Sequence, residues 1–484
     1  MNREIKRVST IVLAMFLALL VATSIIQVIQ ADALAADARN TRARNDSYAA
    51  QRGAILVAGQ PVAQSVPADD VFTWQRVYAN GPLYSAVTGF FPIDGEATGL
   101  EGALNDKLSG TSNSQFFDRI NAILTGKNPQ GASVETTIDP VAQQAAWDAL
   151  GDYQGAVVLL EPKTGRILAM VSKPTYDPNT LASHDTEAVN STYQQLLDAQ
   201  GDPLINRTIG GDLNPPGSTF KPVMSASAFG TGDFTKDSQL PNPASLPLPD
   251  SPTIVKNDSL STCGPGETVS IATAQILSCN IPFAELGMLL KPEVIKDQAD
   301  KFGFNQPLSI PIPVERSVYP LYTDPAYRAL GSFGQKDDKA TPLQMAMVSA
   351  AVANGGKLMT PNLVDSIRSA DLQTLESFQP KEFSQPMSQE NAGTIKQMMV
   401  DGVDEGVASN ARIDGVAVGG KTGTAQNGDD DPYTLWFTGF APANDPQFAV
   451  AVVVENGGGR GQSGTGNTVA APIAKKVLEA VLNK

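Results

Sequence analysis

A single histidine, His184, stands in 484 residues. A Ser-His-Asp triad could use no other imidazole, and a histidine-rich metal site cannot be assembled. With imidazole so scarce, lysine becomes the natural candidate for a general base. Cysteine is nearly absent as well: Cys263 and Cys279 are too few for a zinc or iron–sulfur cluster. Positive charge is in deficit, since 35 Lys and Arg face 50 Asp and Glu for a net charge of −15, which argues against a nucleic-acid partner. No internal repeat and no long low-complexity tract is found, so repeat architectures drop out. The length leaves room for two or three domains and a large core.

Charge itself is missing from Val8 to Ala31, a run preceded by Arg3, Lys6 and Arg7 and followed by Asp32. It is long enough to cross a bilayer as one helix, with the start inside and the remainder outside. A cleaved signal peptide, cut near Ala33-Leu34-Ala35, is the alternative; the length of the run favours an uncleaved anchor. No cysteine follows the run, which argues against a lipoprotein. Either way the remainder faces an oxidising compartment, where Cys263 and Cys279 can pair. Such a bridge would contribute roughly 3 kcal/mol. Two buried free thiols are the other reading.

Texture divides the chain into residues 1–31, a cytoplasmic start and transmembrane anchor; 32–152, a pedestal for dimerisation or another non-catalytic role; and 153–484, the catalytic region. Ala33–Arg44 reads as a helical stalk. Gly53–Val57 and Val134–Ile138 read as strands, and Asp139-Pro140 caps a helix running to Leu150. Ala156–Leu160 and Arg166–Val171 form a hairpin. Pro241–Pro252 reads as a loop and Ala340–Asn354 as a helix. Val416–Val418, Leu435–Phe440 and Phe448–Val454 read as strands, and a last helix covers about Val469–Leu482. Strands at both ends with helices between them predict one antiparallel sheet closed by early and late strands, with a helical insert. The fold class is α+β.

The only Ser-x-x-Lys of the chain, Ser218-Thr219-Phe220-Lys221, follows Pro215-Pro216-Gly217. The Pro-Pro-Gly run cannot be helical, and a good helix former follows, so Ser218 sits at or beside a helix start. Three residues on, Lys221 shares its face and can reach the hydroxyl. Free N–H groups and the dipole favour negative charge on the serine oxygen. Pro222 makes the first turn irregular. The only Ser-x-Asn, Ser278-Cys279-Asn280, lies on a loop after a helix, where a hydroxyl and an amide can face one cleft. Lys421-Thr422-Gly423-Thr424 follows a strand and is itself strand-compatible, and Gly423 allows close approach of a ligand. A second Lys-Thr-Gly, at Lys163–Gly165, reads as a hairpin turn. Gly415–Thr422 matches the P-loop pattern, but the glycine, acids and proline after it cannot open a helix for phosphate. Gly459–Gly464 matches a dinucleotide fingerprint without the strand and acidic residue it needs.

In this order, Ser218-x-x-Lys221, Ser278-x-Asn280 and Lys421-Thr422-Gly423 resemble the signature of penicillin-recognising serine enzymes. The wider chain resembles the class B penicillin-binding proteins, monofunctional peptidoglycan transpeptidases. The likeness includes Gln51-Arg52-Gly53, Gly99-Leu100-Glu101, Asn206-Arg207 and Trp436-Phe437-Thr438-Gly439. It covers nearly the whole chain, which departs from the family in its short N-terminal region and in Cys279. The resemblance implies a β-lactamase-like transpeptidase fold, no cofactor and no metal. It implies Ser218 as nucleophile, Lys221 as base, and Ser278 and Lys421 as a proton path to the leaving amine. Asn280 would position the substrate amide, the Ser218 and Thr424 N–H groups would form the oxyanion hole, and Thr422 and Thr424 would hold the substrate carboxylate. The implied partners are D-Ala-D-Ala stem peptides, β-lactam antibiotics, the lipid bilayer and a SEDS-type membrane glycosyltransferase. The implied location is the bacterial cell membrane, with the catalytic region extracytoplasmic. A class A β-lactamase is disfavoured because no convincing Glu-x-x-x-Asn stretch lies between Ser278 and Lys421. A D,D-carboxypeptidase, which passes the acyl group to water, and a non-catalytic sensor are the other competitors.

Overall fold

The computed structural model describes residues 2–30, 34, 48, 50–115, 130–211, 213–259 and 261–484. Apart from Leu34, the stalk expected over Ala33–Arg44 lies outside them. The apolar run forms helix α1 (Asn2–Ser24), continued by a π-helical turn over Ile25–Ile29. Its window of mean hydropathy 2.6 is buried nowhere in the protein, so its apolar faces have no protein partner among the described residues.

Two sheets organise the rest. Their strands, in chain order, are β1 (Ile55–Val57), β2 (Gln60–Pro67), β3 (Trp74–Tyr78), β4 (Ser133–Thr136), β5 (Gly155–Leu160) and β6 (Ile167–Lys173). After the helical insert come β7 (Val364–Arg368), β8 (Thr374–Ser377), β9 (Gly419–Ala425), β10 (Thr434–Ala441) and β11 (Phe448–Val454). The first sheet has the order β8-β7-β4-β1-β2-β3 and contains one parallel pair, β1 with β4. The second has the order β9-β10-β11-β5-β6 and is antiparallel throughout. Early strands β5 and β6 close it with late strands β9 to β11, as the strands at both ends of the region predict.

The period of two sorts the second sheet between two cores. Val157, Leu159, Val450 and Val452 face one cluster, where helices α2 (Pro140–Leu150) and the C-terminal Ala470–Leu482 cover the sheet. Ala156, Val158, Ala451 and Val453 face the other, filled by Pro342–Ala353. Every residue of that helix is buried, as its apolar character on all sides requires. α2 packs on the second sheet while β7 and β8 extend the first, so each sheet is contacted by elements from both sides of residue 152.

Asp139 caps α2 through N–H groups of Val141 and Ala142, at 2.9 and 3.0 Å, with Pro140 in the first turn, as expected. Two local expectations need correction. Val416–Val418 is not a strand: Gly415 takes φ +76° in a turn, and β9 begins only at Gly419. Within Pro241–Pro252, Leu246–Pro247 pairs with Ile254–Val255 in a short ladder instead of remaining irregular.

Candidate active site

The turn around Ser218 is built by residues that lack side chains or donors. Gly217 has φ +54°, and its N–H donates to Gly334 O at 2.9 Å. A Cβ on Gly334, itself at φ +76°, would stand 2.1 Å from Gly217 O, so the two glycines pack backbone on backbone. From the sheet, Trp436 Nε1 donates to Pro215 O at 2.9 Å. Gly217–Phe220 forms a 3-10 turn, and the α-helix starts only at Lys221, running to Thr231. Ser218 therefore sits one turn ahead of the α-helix rather than in it, consistent with the irregular start that Pro222 imposes.

Lys221 is wholly buried and Ser218 is 7% exposed. Lys221 Nζ lies 2.8 Å from Ser218 Oγ, 2.7 Å from the Ser278 carbonyl oxygen and 2.8 Å from Asn280 Oδ1. Burial, and next the positive charge of Lys421, hold the Lys221 amine well below the ordinary lysine value, against the opposing pull of Asp258. A neutral amine has two N–H bonds and one lone pair. Ser278 O and Asn280 Oδ1 can only accept, so they take both N–H bonds. The lone pair is left facing Ser218, whose hydroxyl becomes the donor. This is the geometry of a base and its nucleophile.

Ser278 owes its position to a helix end. After the helix Ile271–Ile276, the Cys279 N–H donates to Ala274 O at 2.9 Å and the Ser278 N–H to Gln275 O at 3.2 Å. These two bonds make a Schellman motif, with Ser278 at φ +58° where glycine is usual. A side chain there costs about 1–3 kcal/mol of backbone strain, which the neighbouring structure must offset. The hydroxyl it presents accepts from Lys421 Nζ at 2.6 Å. Lys421, on β9, also donates to Thr422 O at 3.0 Å, and burial depresses its amine to about 7. The three motifs thus meet in one hydrogen-bonded group.

A loop supports that group. Asn257 Oδ1 accepts from the N–H groups of Asn280 and Ile281, at 2.9 and 3.0 Å, and so caps the helix Ile281–Leu289. A disulfide joins Cys263 to Cys279, with Cα atoms 5.8 Å apart. Reducing it is expected to lower stability by roughly 3 kcal/mol, read from the guanidinium midpoint with and without reductant. An unchanged midpoint would count against it.

A cleft of about 670 Å³ opens over the group, lined among others by Ser218, Asp258, Ser278, Thr422, Thr424 and Asn467. Thr424 is partly exposed there, and its Oγ1 accepts from the Gly466 N–H at 3.2 Å. Gly423 lies against the Ser218 turn: a Cβ on it would stand 2.9 Å from Pro216 O. His184 is elsewhere, 2.5 Å from Asp70 beside Tyr48 and Phe72. Lys163 lies exposed in its turn and pairs with Asp445. Lys421 is in a strand, so the P-loop match has no helix to open. Asn257, Asp258, Gly334 and Asn467 were not singled out from the sequence. No spacing connects them to the three motifs, and only folding brings them near.

The family described as penicillin binding protein transpeptidase domain matches residues 155–479, and that described as penicillin binding protein A dimerisation domain matches 52–134. Over its whole length the chain is 41% identical to the whole of peptidoglycan D,D-transpeptidase PbpA of Mycolicibacterium smegmatis. It is 40% identical to PbpA of Mycobacterium tuberculosis, over all of this chain and 99% of that protein. A solved structure of penicillin-binding protein A from M. tuberculosis, a ceftriaxone acyl-enzyme complex, superposes with a TM-score of 0.87. That match has 40% identity and covers 90% of this chain and 100% of the other.

Proposed function

The chain belongs to the penicillin-binding protein transpeptidase family, and from that premise we propose that Ser218 is its acylated nucleophile and Lys221 the base that activates it. The chain is a peptidoglycan D,D-transpeptidase, a serine enzyme of cell-wall synthesis and a target of β-lactams. The observation that carries the residue assignment is the Lys221 amine, 2.8 Å from Ser218 Oγ with its two other bonds on oxygens that only accept.

Ser218 Oγ attacks the carbonyl carbon of the penultimate D-Ala as its proton passes to Lys221. The N–H groups of Ser218 and Thr424 hold the oxyanion. The C–N bond then breaks, and the terminal D-Ala leaves as an amine, the proton taken up by Lys221 being passed on to its nitrogen by way of Ser278 and Lys421. Thr422 and Thr424 hold its carboxylate, and Asn280 holds the substrate amide. An amine of a neighbouring stem peptide next attacks the acyl carbon, its proton returns to Ser218 Oγ, and the cross-link is made. Two lysines with depressed proton affinity suit this sequence, because each must exchange a proton near neutral pH.

The residues from Asp32 onward lie outside the cytoplasmic membrane, anchored by one span. Arg3, Lys6 and Arg7 before the apolar run support that orientation. Residues 32–152 serve as a non-catalytic pedestal and 153–484 as the transpeptidase region, with a SEDS-type membrane glycosyltransferase as partner.

Benzylpenicillin is expected to add one antibiotic mass to the peptide carrying Ser218 and none to Ser218→Ala, by intact-mass spectrometry and peptide mapping. A D-Ala-D-Ala peptide with an amine acceptor should then yield the amide product. An adduct that persists in Ser218→Ala would refute the assignment.

A further inference from the structure

Asp258 stands on the wall of the cleft that holds Ser218. Its Oδ1 accepts a hydrogen bond from Asn280 Nδ2 at 3.2 Å. The same Nδ2 donates to Lys256 O at 3.1 Å. On the opposite side, Asn280 Oδ1 accepts from Lys221 Nζ. Four residues therefore form one line from the cleft wall to the nucleophile: Asp258, Asn280, Lys221 and Ser218.

The amide of Asn280 has two orientations, and they are chemically unequal. In the one found, its NH₂ group meets two oxygens and its oxygen meets an amine. Reversed, its oxygen would oppose two acceptors. Its NH₂ would then donate to Lys221, and the lone pair it would occupy is the one needed for the Ser218 proton. A carboxylate opposes that reversal more strongly than a neutral acceptor, because the bond it accepts is charge-assisted.

The charge acts along the same line. Two titratable groups act on the Lys221 amine: Lys421, which disfavours its protonation, and Asp258, which favours it. Asp258 acts on Lys421 in the same sense as on Lys221. The other groups facing the two amines are uncharged: the Ser218 and Ser278 hydroxyls, the Ser278 and Thr422 carbonyls, Asn280 and the Phe283 ring.

We infer that Asp258 is a positioning residue for acylation: its carboxylate holds the Asn280 amide oxygen toward Lys221 and tunes that lysine electrostatically. The inference rests on the assignment of Ser218 and Lys221 made above. Its test is the rate of Ser218 acylation by benzylpenicillin against pH, by intact mass, on the full chain in detergent. Acylation needs neutral Lys221, so the rate falls on the acid side. D258N keeps a neutral acceptor but removes the charge that favours lysine protonation. Its acid limb is expected to move to lower pH by about 0.3–1 unit. D258E restores the charge and returns the limb toward the wild-type position. D258A loses the acceptor as well, and its plateau should fall about tenfold as the amide reverses. A D258N limb that superimposes on the wild-type limb overturns the inference. A wild-type chain unacylated at Ser218 at every pH overturns the nucleophile assignment with it, so the two failures are told apart.

Discussion

Lys221→Met is expected to slow acylation of Ser218 by about 10²–10⁴-fold, the usual contribution of a positioned general base. The chain should stay folded. Methionine matches the length of the lysine stem, and the site is already closed to water, with Lys221 fully buried. Two terms then oppose each other. Ser278 O and Asn280 Oδ1 lose a donor, at about 1–3 kcal/mol for buried acceptors. Against this, the fold no longer carries an amine whose charged form burial penalises. The net change in stability should therefore be small, whereas the change in rate is large.

The pH dependence separates the two effects. Lys221 and Lys421 bind protons more weakly in the folded chain than in the unfolded one. For Lys421 the folded value is about 7, against 10.5 unperturbed. Between these values the unfolded state holds the extra proton, so stability rises with pH across the window and falls as pH drops toward about 7. Lys221→Met should remove the Lys221 share of that slope. Time-resolved intact mass with benzylpenicillin gives the rate, and urea midpoints from pH 7 to 10 give the slope. Acylation within tenfold of wild type would show that Lys221 is not the base.

Glu101→Gln should destabilise the N-terminal region by about 3–5 kcal/mol, because it leaves two buried guanidinium groups without their counter-charge. Glu101 is fully buried, with Oε2 2.5 Å from Arg52 Nε and Oε1 2.6 Å from Arg76 Nε. Burial opposes the Glu101 charge, but Arg76 and Arg52 together outweigh it and hold the carboxyl below its usual value. Two further donors are tied to the same core: Arg52 Nη2 reaches Glu101 O at 2.5 Å, and Arg76 Nη1 reaches Gly53 O at 2.9 Å. One carboxylate thus joins β3 and the segment leading into β1 to the Gly99–Ala103 helix. Replacing all three by Met, Leu and Met should recover much of the loss, since an apolar triad carries no desolvation penalty. A urea midpoint shared by Glu101→Gln and wild type would show that the triad contributes little.

This triad also shows why short matches are informative. Arg52 and Glu101 lie 49 positions apart, in Gln51-Arg52-Gly53 and Gly99-Leu100-Glu101. As sequence they are two unrelated fragments. In the structure they are two halves of one ion cluster, which is a physical reason for both to be present.

The sequence by itself determined the turn at Ser218, the apolar runs that build the five-stranded sheet, the uncharged N-terminal run and the three motifs. Each depends on residues close in the chain: a Pro-Pro-Gly stop, a spacing of three, short apolar runs, an uncharged run. Tertiary structure alone decided how the motifs meet. Lys421 reaches Ser278 across 143 positions, and Gly334 seats Gly217 at the turn before Ser218. It also placed Ser278 in a left-handed position that local preference gives to glycine. Neither partners nor strain of this kind can be read from spacing, because they arise only when distant segments exclude water from the same few atoms. That exclusion lowers the proton affinity of two ordinary lysines, the Lys421 amine to about 7 and the Lys221 amine well below its ordinary value.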